Sequence, residues 1–173
     1  MKFEAIISNT EYYYSENYVE KNIYLPATKE EIENIYVELG IDKSQNIIFV
    51  DEVRFPFENL NYLFCGYFNL ESINELTIKL SNFTPEQFNI LRAIDEIDGI
   101  RYFDELENIV DHIDDYELLP DIRSDEDLVD YFIEEIDVES LRAYVNRHQL
   151  GHDIRASLNA GHSKYGCLVD NRH

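Results

Sequence analysis

The amino-acid sequence predicts an α+β fold, and three observations support this prediction. Residues 1–57 combine β-prone segments with a single capped helix, residues 58–113 carry apolar residues at helical spacing, and residues 114–173 combine an acidic helix with further β-prone segments. We therefore expect three small domains with these boundaries: an amino-terminal α+β domain, a central helical bundle, and a carboxy-terminal α+β domain that contains the acidic helix.

The amino-terminal domain is predicted to form three strands around one helix. Three β-prone segments are the predicted strands: residues 3–8, 19–25 and 46–54. Thr28 is followed three residues later by Glu31, which is the spacing of a capping box at a helix start. Apolar residues then recur at helical spacing until Gly40, a residue type that commonly ends helices.

The central domain is predicted to be helical because its apolar residues follow the helical period. Two apolar stripes begin after residue 58: Leu60, Leu63, Phe64, Tyr67 and Phe68, and then Ile73, Leu76, Leu80 and Phe83. Thr84 and Gln87 form a second capping box, with Pro85 at the first helical position, where its missing N–H costs nothing. We expect this helix to run to a break at Gly99.

Residues 95–139 form a strongly acidic segment. They hold nineteen carboxylates against two arginines, which leaves 17 of the chain's 22 net negative charges in this segment. Solubility alone needs a net charge of magnitude roughly 2–8 in a small domain. Disordered acidic tails lack apolar residues, whereas this segment repeats them at helical spacing. One predicted helix face carries Phe103, Leu106, Val110 and Ile113, and the opposite face carries acids at the same spacing: Asp104, Glu107, Asp111 and Asp114.

The charge density of this segment suggests a partner. A fully helical segment of this length would span ~68 Å, or one acid per ~3.6 Å, while one DNA strand carries a phosphate per ~3.4 Å. A pI near 4.3 argues against direct binding to nucleic acid or to an anionic membrane, because like charges repel. A basic protein is the complementary partner, and an ordinary solvated face is the alternative interpretation.

The carboxy-terminal part is predicted to continue with short elements. Ser124 and the three acids after it suit the start of a second acidic helix, following a possible strand within residues 116–122. A further helix is expected over residues 139–148 and to end at Gly151, and a terminal strand is expected over residues 164–169. The last 34 residues hold five basic residues against two acids and are mildly positive.

No pattern in the chain indicates catalysis, so we expect a non-enzyme without a cofactor. The sequence lacks phosphate-binding glycine motifs and nucleophile motifs, and paired carboxylates are too frequent to mark an active site. His148 and His152 stand four apart and, with Asp153, His162 or Cys167, are an alternative metal site, although no zinc motif is complete.

The cysteines and the hydropathy indicate a cytoplasmic protein. Cys65 and Cys167 have no paired spacing and are expected to be reduced thiols. The amino terminus lacks the apolar run of a signal peptide, and no window of the sequence approaches eighteen apolar residues, so no membrane association is expected.

Five segments of the chain are informative when they are taken in order: IYLPATKEEIENIYVELGI, FVDEVRFPF, ESINELTIKLSNFTPEQFNILRAID, SDEDLVDYFIEE and RAYVNRHQLGHDI. Together they resemble the ArdA antirestriction proteins, a family of small, strongly acidic proteins carried by mobile genetic elements. They occur in the family's order and cover most of the chain.

The resemblance implies an elongated three-domain fold and a homodimer joined through the carboxy-terminal domain. It also implies that the carboxylates imitate a bent DNA duplex and occupy the DNA groove of type I restriction–modification enzymes. The predicted partner-binding surface comprises Glu71, Glu75, Glu86, Asp95, Glu96, Asp98, Asp104, Glu105, Glu107, Asp111, Asp114, Asp115, Glu117, Asp121, Asp125, Glu126, Asp127, Asp130, Glu134 and Glu135. The alternative function is that of an acidic adaptor for another basic, nucleic-acid-binding protein.

Overall fold

Two antiparallel sheets and six α-helices make up the described part of the chain, so the predicted α+β fold class is confirmed. The structure, a computed structural model, describes residues 2–10, 14, 16–42, 47–54, 58–133 and 146–172. The chain divides into two units, which we call the first unit (Met1–Phe83 with Arg101–Val110) and the second unit (Thr84–Ile100 with Asp111–His173). The division into domains 1–57, 58–113 and 114–173 stays a prediction.

The secondary-structure elements have the following bounds. The strands are β1 (Phe3–Ser8), β2 (Glu20–Leu25), β3 (Ile47–Arg54), β4 (Gly66–Asn69), β5 (Tyr116–Leu119), β6 (Ala160–Ser163) and β7 (Gly166–Asp170). The helices are α1 (Lys29–Leu39), α2 (Leu70–Ser81), α3 (Pro85–Ile97), α4 (Phe103–Asp111), α5 (Asp125–Ile133) and α6 (Arg147–Ser157). Two 3₁₀ helices span Glu58–Phe64 and Ile113–Asp115.

The first unit is built on a four-stranded sheet in the order β2-β1-β3-β4. The central strand β1 buries Phe3, Ala5 and Ile7, as its alternating sequence predicts. Both capping boxes are present: the side chain of Thr28 starts α1 in this unit, and that of Thr84 starts α3 in the second unit. These local signals place the helix starts where the sequence predicts them.

Strand β4 corrects the prediction for residues 66–69. The stripe that includes Tyr67 and Phe68 was expected to lie on a helix, but these residues pair with Phe49 and Ile48 of β3. The expectation of helix is therefore wrong here. Gly66 has φ of +137°, a conformation that leaves the helical region, and an edge-on contact of Tyr67 with the ring of Phe49 stabilises the strand pair.

The second unit is built on a three-stranded antiparallel sheet in the order β5-β7-β6. Its core includes Ile122, Leu128 and Cys167, with Leu119 and Ala160 packed against them. The carboxy-terminal segment, predicted as a single strand, is a hairpin of β6 and β7 that turns at Lys164 and Tyr165. The possible strand before the acidic helix is confirmed as β5, which pairs with β7.

Gly151 does not end a helix, so that expectation is wrong. It lies inside α6 and is buried, and a Cβ atom built on it would fall 2.1 Å from the backbone oxygen of Asp125 in α5. The glycine therefore allows close approach of two helices, a role that helix-breaking statistics do not reveal. Residues 139–145 of the helix predicted over residues 139–148 lie outside the described residues.

Part of the predicted partner-binding surface concerns residues that the structure does not describe. Glu134 and Glu135 lie outside the described ranges. Among the helices of the described ranges, none has the length and apolar character needed to cross a membrane.

Candidate acidic binding surface

The predicted surface residues are distributed over both units. Glu71 and Glu75 lie on α2, and Asp104, Glu105 and Glu107 lie on α4, all in the first unit. The second unit holds the other thirteen that are described. Ten of these are exposed: Glu86, Glu96, Asp98, Asp111, Asp114, Asp115, Glu117, Asp121, Glu126 and Asp130. Most of the predicted acids of the second unit therefore present their carboxylates to solvent, eight of them from helices or strands.

Helix stability does not explain where several of these acids lie. The last turns of α3 and α4 contain no basic residue. Asp95 and Glu96 lie in the last turn of α3, and Asp111 is the last residue of α4. A negative charge at a helix carboxy terminus opposes the helix dipole and costs roughly 0.3–1 kcal/mol where it is unscreened. The acids in the first turns of α2, α3, α4 and α5 follow the favourable pattern. The helix dipole therefore favours the acids at the helix starts and disfavours those at the ends of α3 and α4.

The cations of the second unit neutralise only part of this charge. Ion pairs join Arg147 to Asp130, Lys164 to Glu96, Arg155 to Asp125 and Arg172 to Asp170. Four of the ten exposed carboxylates make neither an ion pair nor a hydrogen bond with any residue that the structure describes: Glu86, Asp98, Glu117 and Asp121. We call these four the unpaired acids. They are the strongest candidates for contacts with a cationic partner.

Asp125 has an internal role. Only 9% of this residue is exposed, and its Oδ1 accepts a hydrogen bond from Arg155 Nε at 2.9 Å and lies 2.9 Å from His162 Nε2. Burial raises the pKa of the Asp125 carboxyl, but the hydrogen bonds from His162 and Arg155 outweigh burial and lower it overall. Asp125 therefore joins α5 to α6 and β6 as a buried counterion, and it is not presented to a partner.

Asp127 and Asp95 also have structural roles. The carboxylate of Asp127 accepts the backbone N–H of Arg123 at 2.9 Å, while the hydroxyl of Ser124 accepts the N–H of Asp127 at 3.1 Å. These bonds cap the start of α5, and the bond from Arg123 is the main cause that lowers the pKa of Asp127. Asp95 accepts the N–H of Ile100 at 3.2 Å beyond the end of α3.

The acids of the first unit have different environments. Glu71 accepts a 2.8 Å hydrogen bond from the hydroxyl of Tyr36, and Glu105 accepts the backbone N–H of Arg101 at 2.8 Å. Glu71 and Glu75 line a groove between α1 and α2 together with Glu33, which the sequence prediction omitted. Glu33 lies outside the acidic segment, so the charge density along the chain could not identify it. The structure identifies it, because Glu33 of α1 lines the same groove as two acids of α2.

The residues of the alternative metal site do not converge. His148 Nδ1 lies 3.6 Å from Glu126 Oε1, His152 Nδ1 lies 3.6 Å from its neighbour Asp153, and His162 contacts Asp125. Within the described ranges, no group of three or more His, Cys, Asp or Glu side chains could hold one metal ion. Both cysteines are free, and burial raises the pKa of the Cys167 thiol to about 11.

No model of a known protein family matches the sequence, and a search of curated proteins finds no match. The likeness to the ArdA proteins therefore rests on the five sequence segments quoted above.

Proposed function

We propose that this protein is a DNA-mimicking antirestriction protein of the ArdA kind, which occupies the DNA-binding groove of type I restriction–modification enzymes and blocks their activity. The observation that carries the proposal is the set of ten exposed carboxylates of the second unit, eight of them in helices or strands and four of them with neither an ion pair nor a hydrogen bond in the described ranges. These acids supply what a DNA-binding groove recognises in phosphates, which is fixed negative charge.

The binding free energy would come mainly from the charges as a set. A basic groove that binds fixed anions releases its condensed counterions, as it does when it binds DNA, so affinity falls steeply with salt concentration. Because helices and strands hold eight of the ten carboxylates, little backbone entropy is lost on binding. A single exposed pair is worth roughly 0–1 kcal/mol, so no one acid dominates.

The proposal includes the arrangement that the resemblance implies. We propose an elongated three-domain chain that forms a homodimer through its carboxy-terminal domain, so that two copies present a longer anionic surface than one. The protein acts in the cytoplasm, where restriction enzymes meet incoming DNA, and does not itself bind nucleic acid.

Cleavage of DNA by a purified type I enzyme tests the proposal. The test variant neutralises the four unpaired acids: Glu86→Gln, Asp98→Asn, Glu117→Gln and Asp121→Asn. The control variant removes the same amount of charge at exposed sites outside the proposed surface: Glu16→Gln, Glu30→Gln, Glu52→Gln and Asp153→Asn. We expect the wild-type protein and the control to inhibit cleavage, and the test variant to need about tenfold more protein for the same inhibition.

If the protein does not inhibit DNA cleavage, the alternative function as an acidic adaptor is favoured. If the wild-type protein at saturating concentration leaves cleavage by several type I enzymes unchanged, antirestriction is rejected and the acidic adaptor becomes the better explanation. Affinity capture from a host lysate at low and high salt would then identify a basic, nucleic-acid-binding partner.

A further inference from the structure

A groove of about 490 Å³ lies between α1 and α2 of the first unit. Helix α1 contributes Lys29, Ile32 and Glu33, and helix α2 contributes residues 71, 74, 75 and 78. Residues at these spacings share one helix face, so the groove follows the line along which the two helices face each other.

Two fixed contacts hold the groove in shape. The buried side chain of Asn74 accepts the backbone N–H of Ala27 at 2.7 Å and donates to the carbonyl of Ala27 at 3.1 Å, which ties the segment before α1 to α2. The buried ring of Tyr36 donates from its hydroxyl to Glu71 at 2.8 Å and so fixes one carboxylate at the rim. The groove is therefore formed before any partner arrives.

The lining combines an apolar surface with negative charge. Ile32 is buried beneath the groove, whereas Ile78 is 44% exposed and offers apolar surface to a bound group. Glu33, Glu71 and Glu75 outnumber Lys29, so the lining has an excess of two negative charges at neutral pH.

We infer that this groove binds an arginine side chain of the partner protein, with its aliphatic stem against Ile32 and Ile78 and its guanidinium between Glu71 and Glu75. Arginine combines an apolar stem with a planar cation that carboxylates bind through two parallel hydrogen bonds. The inference rests on the proposed function, because a DNA-binding groove supplies exposed arginines. It adds an anchoring site to a surface otherwise described only by its charge.

Chemical-shift mapping with a short peptide tests the inference without the enzyme. The probe is Ac-Gly-Arg-Gly-NH₂, added to ¹⁵N-labelled protein at low salt, and the matched probe carries citrulline, which has nearly the same shape and no charge. We expect saturable shifts centred on the amides of Ile32, Glu33, Asn74, Glu75 and Ile78 with the arginine peptide only.

Substitutions of residues that line the groove show whether each charge strengthens or weakens binding of the arginine peptide. Glu33→Gln with Glu75→Gln is expected to weaken the arginine peptide about tenfold, because both changes remove negative charge from the groove. Lys29→Gln is expected to strengthen binding, because it removes the competing cation. The control Glu30→Gln alters an exposed acid on α1 that does not line the groove, and is expected to change the affinity less than about twofold.

Shifts spread evenly over the exposed acids, or equal affinity of the arginine and citrulline peptides, would overturn the inference. Failure of the proposed function alone gives a different result. The groove would then still bind the arginine peptide, but the wild-type protein would leave DNA cleavage unchanged. If both hold, the Glu33→Gln, Glu75→Gln variant is also a weaker inhibitor of cleavage than Glu30→Gln.

Discussion

Gly151 of α6 lies so close to Asp125 of α5 that an added Cβ atom would fall 2.1 Å from the Asp125 backbone oxygen. Gly151→Ala is therefore expected to lower the free energy of unfolding by about 3 kcal/mol, because backbone atoms must move apart to admit one methyl group. Chemical denaturation followed by circular dichroism measures the change.

A second glycine of the same unit provides the control. The nearest atoms to a Cβ at Gly161 would be those of the Ile97 side chain, at 2.9 Å, and side-chain atoms move more readily than backbone. Gly161→Ala should therefore cost less than Gly151→Ala, and an equal or reversed order would contradict the close approach of α6 to α5.

The Asp125 carboxylate is expected to make stability depend on pH in the acid range. Its pKa in the folded protein is below the ordinary value of 3.8, so its contribution is complete above that value and is lost as pH falls through the lower, folded pKa. Asp125→Asn should cost about 1–3 kcal/mol at pH 7, since Arg155 and His162 lose their shared anion. Urea denaturation at a series of pH values should show this cost shrinking toward pH 3. A constant difference would contradict the assignment.

The two thiols are expected to differ in reactivity. Cys65 is exposed, whereas Cys167 is fully buried and its pKa is raised to about 11 by burial, so little of its reactive thiolate forms near neutral pH. Titration with a thiol-specific chromogenic reagent at pH 8 should detect one fast thiol in the native protein and two after unfolding. The Cys65→Ser variant should show none before unfolding, and a fast thiol in that variant would contradict the burial of Cys167.

The hydrogen bond from Tyr36 to Glu71 is expected to stabilise the first unit. Burial, followed by the bond to Glu71, raises the pKa of Tyr36, so the hydroxyl stays protonated and donates. Tyr36→Phe should cost about 1–2 kcal/mol, because the hydroxyl is lost while the packing of the ring is kept. A double-mutant cycle with Glu71→Gln checks the pair, and a coupling energy near zero would show that the two side chains do not interact in solution.

Local sequence signals predicted the fold where they were strong. The capping boxes at Thr28 and Thr84 mark helix starts through contacts within four residues, so no knowledge of the rest of the chain is needed. Strand β4 was missed because Tyr67 and Phe68 fit a helical period equally well, and only pairing with β3 decides between the two. Gly151 was misinterpreted for the same reason, since its role depends on a helix 26 residues earlier in the chain.

In the candidate site, too, the sequence predicted what depends on nearby residues and missed what depends on distant ones. Charge along the chain identified most of the acids that are exposed on the second unit, because long runs of acids are rarely buried. It could not separate Asp125, whose partners Arg155 and His162 lie on α6 and β6, nor find Glu33, which joins Glu71 and Glu75 only because α1 and α2 line the same groove. Both depend on contacts between residues distant in sequence.

Competition with DNA for a type I restriction–modification enzyme tests the central claim most directly. A fluorescent duplex is bound to the purified enzyme, unlabelled protein is added, and fluorescence anisotropy reports release of the duplex. We predict that the protein displaces the duplex completely at low salt, and that the protein concentration needed for half displacement rises with the duplex concentration. The variant that lacks the four unpaired acids should displace the duplex less well. A duplex that stays bound while the protein joins the complex would contradict DNA mimicry.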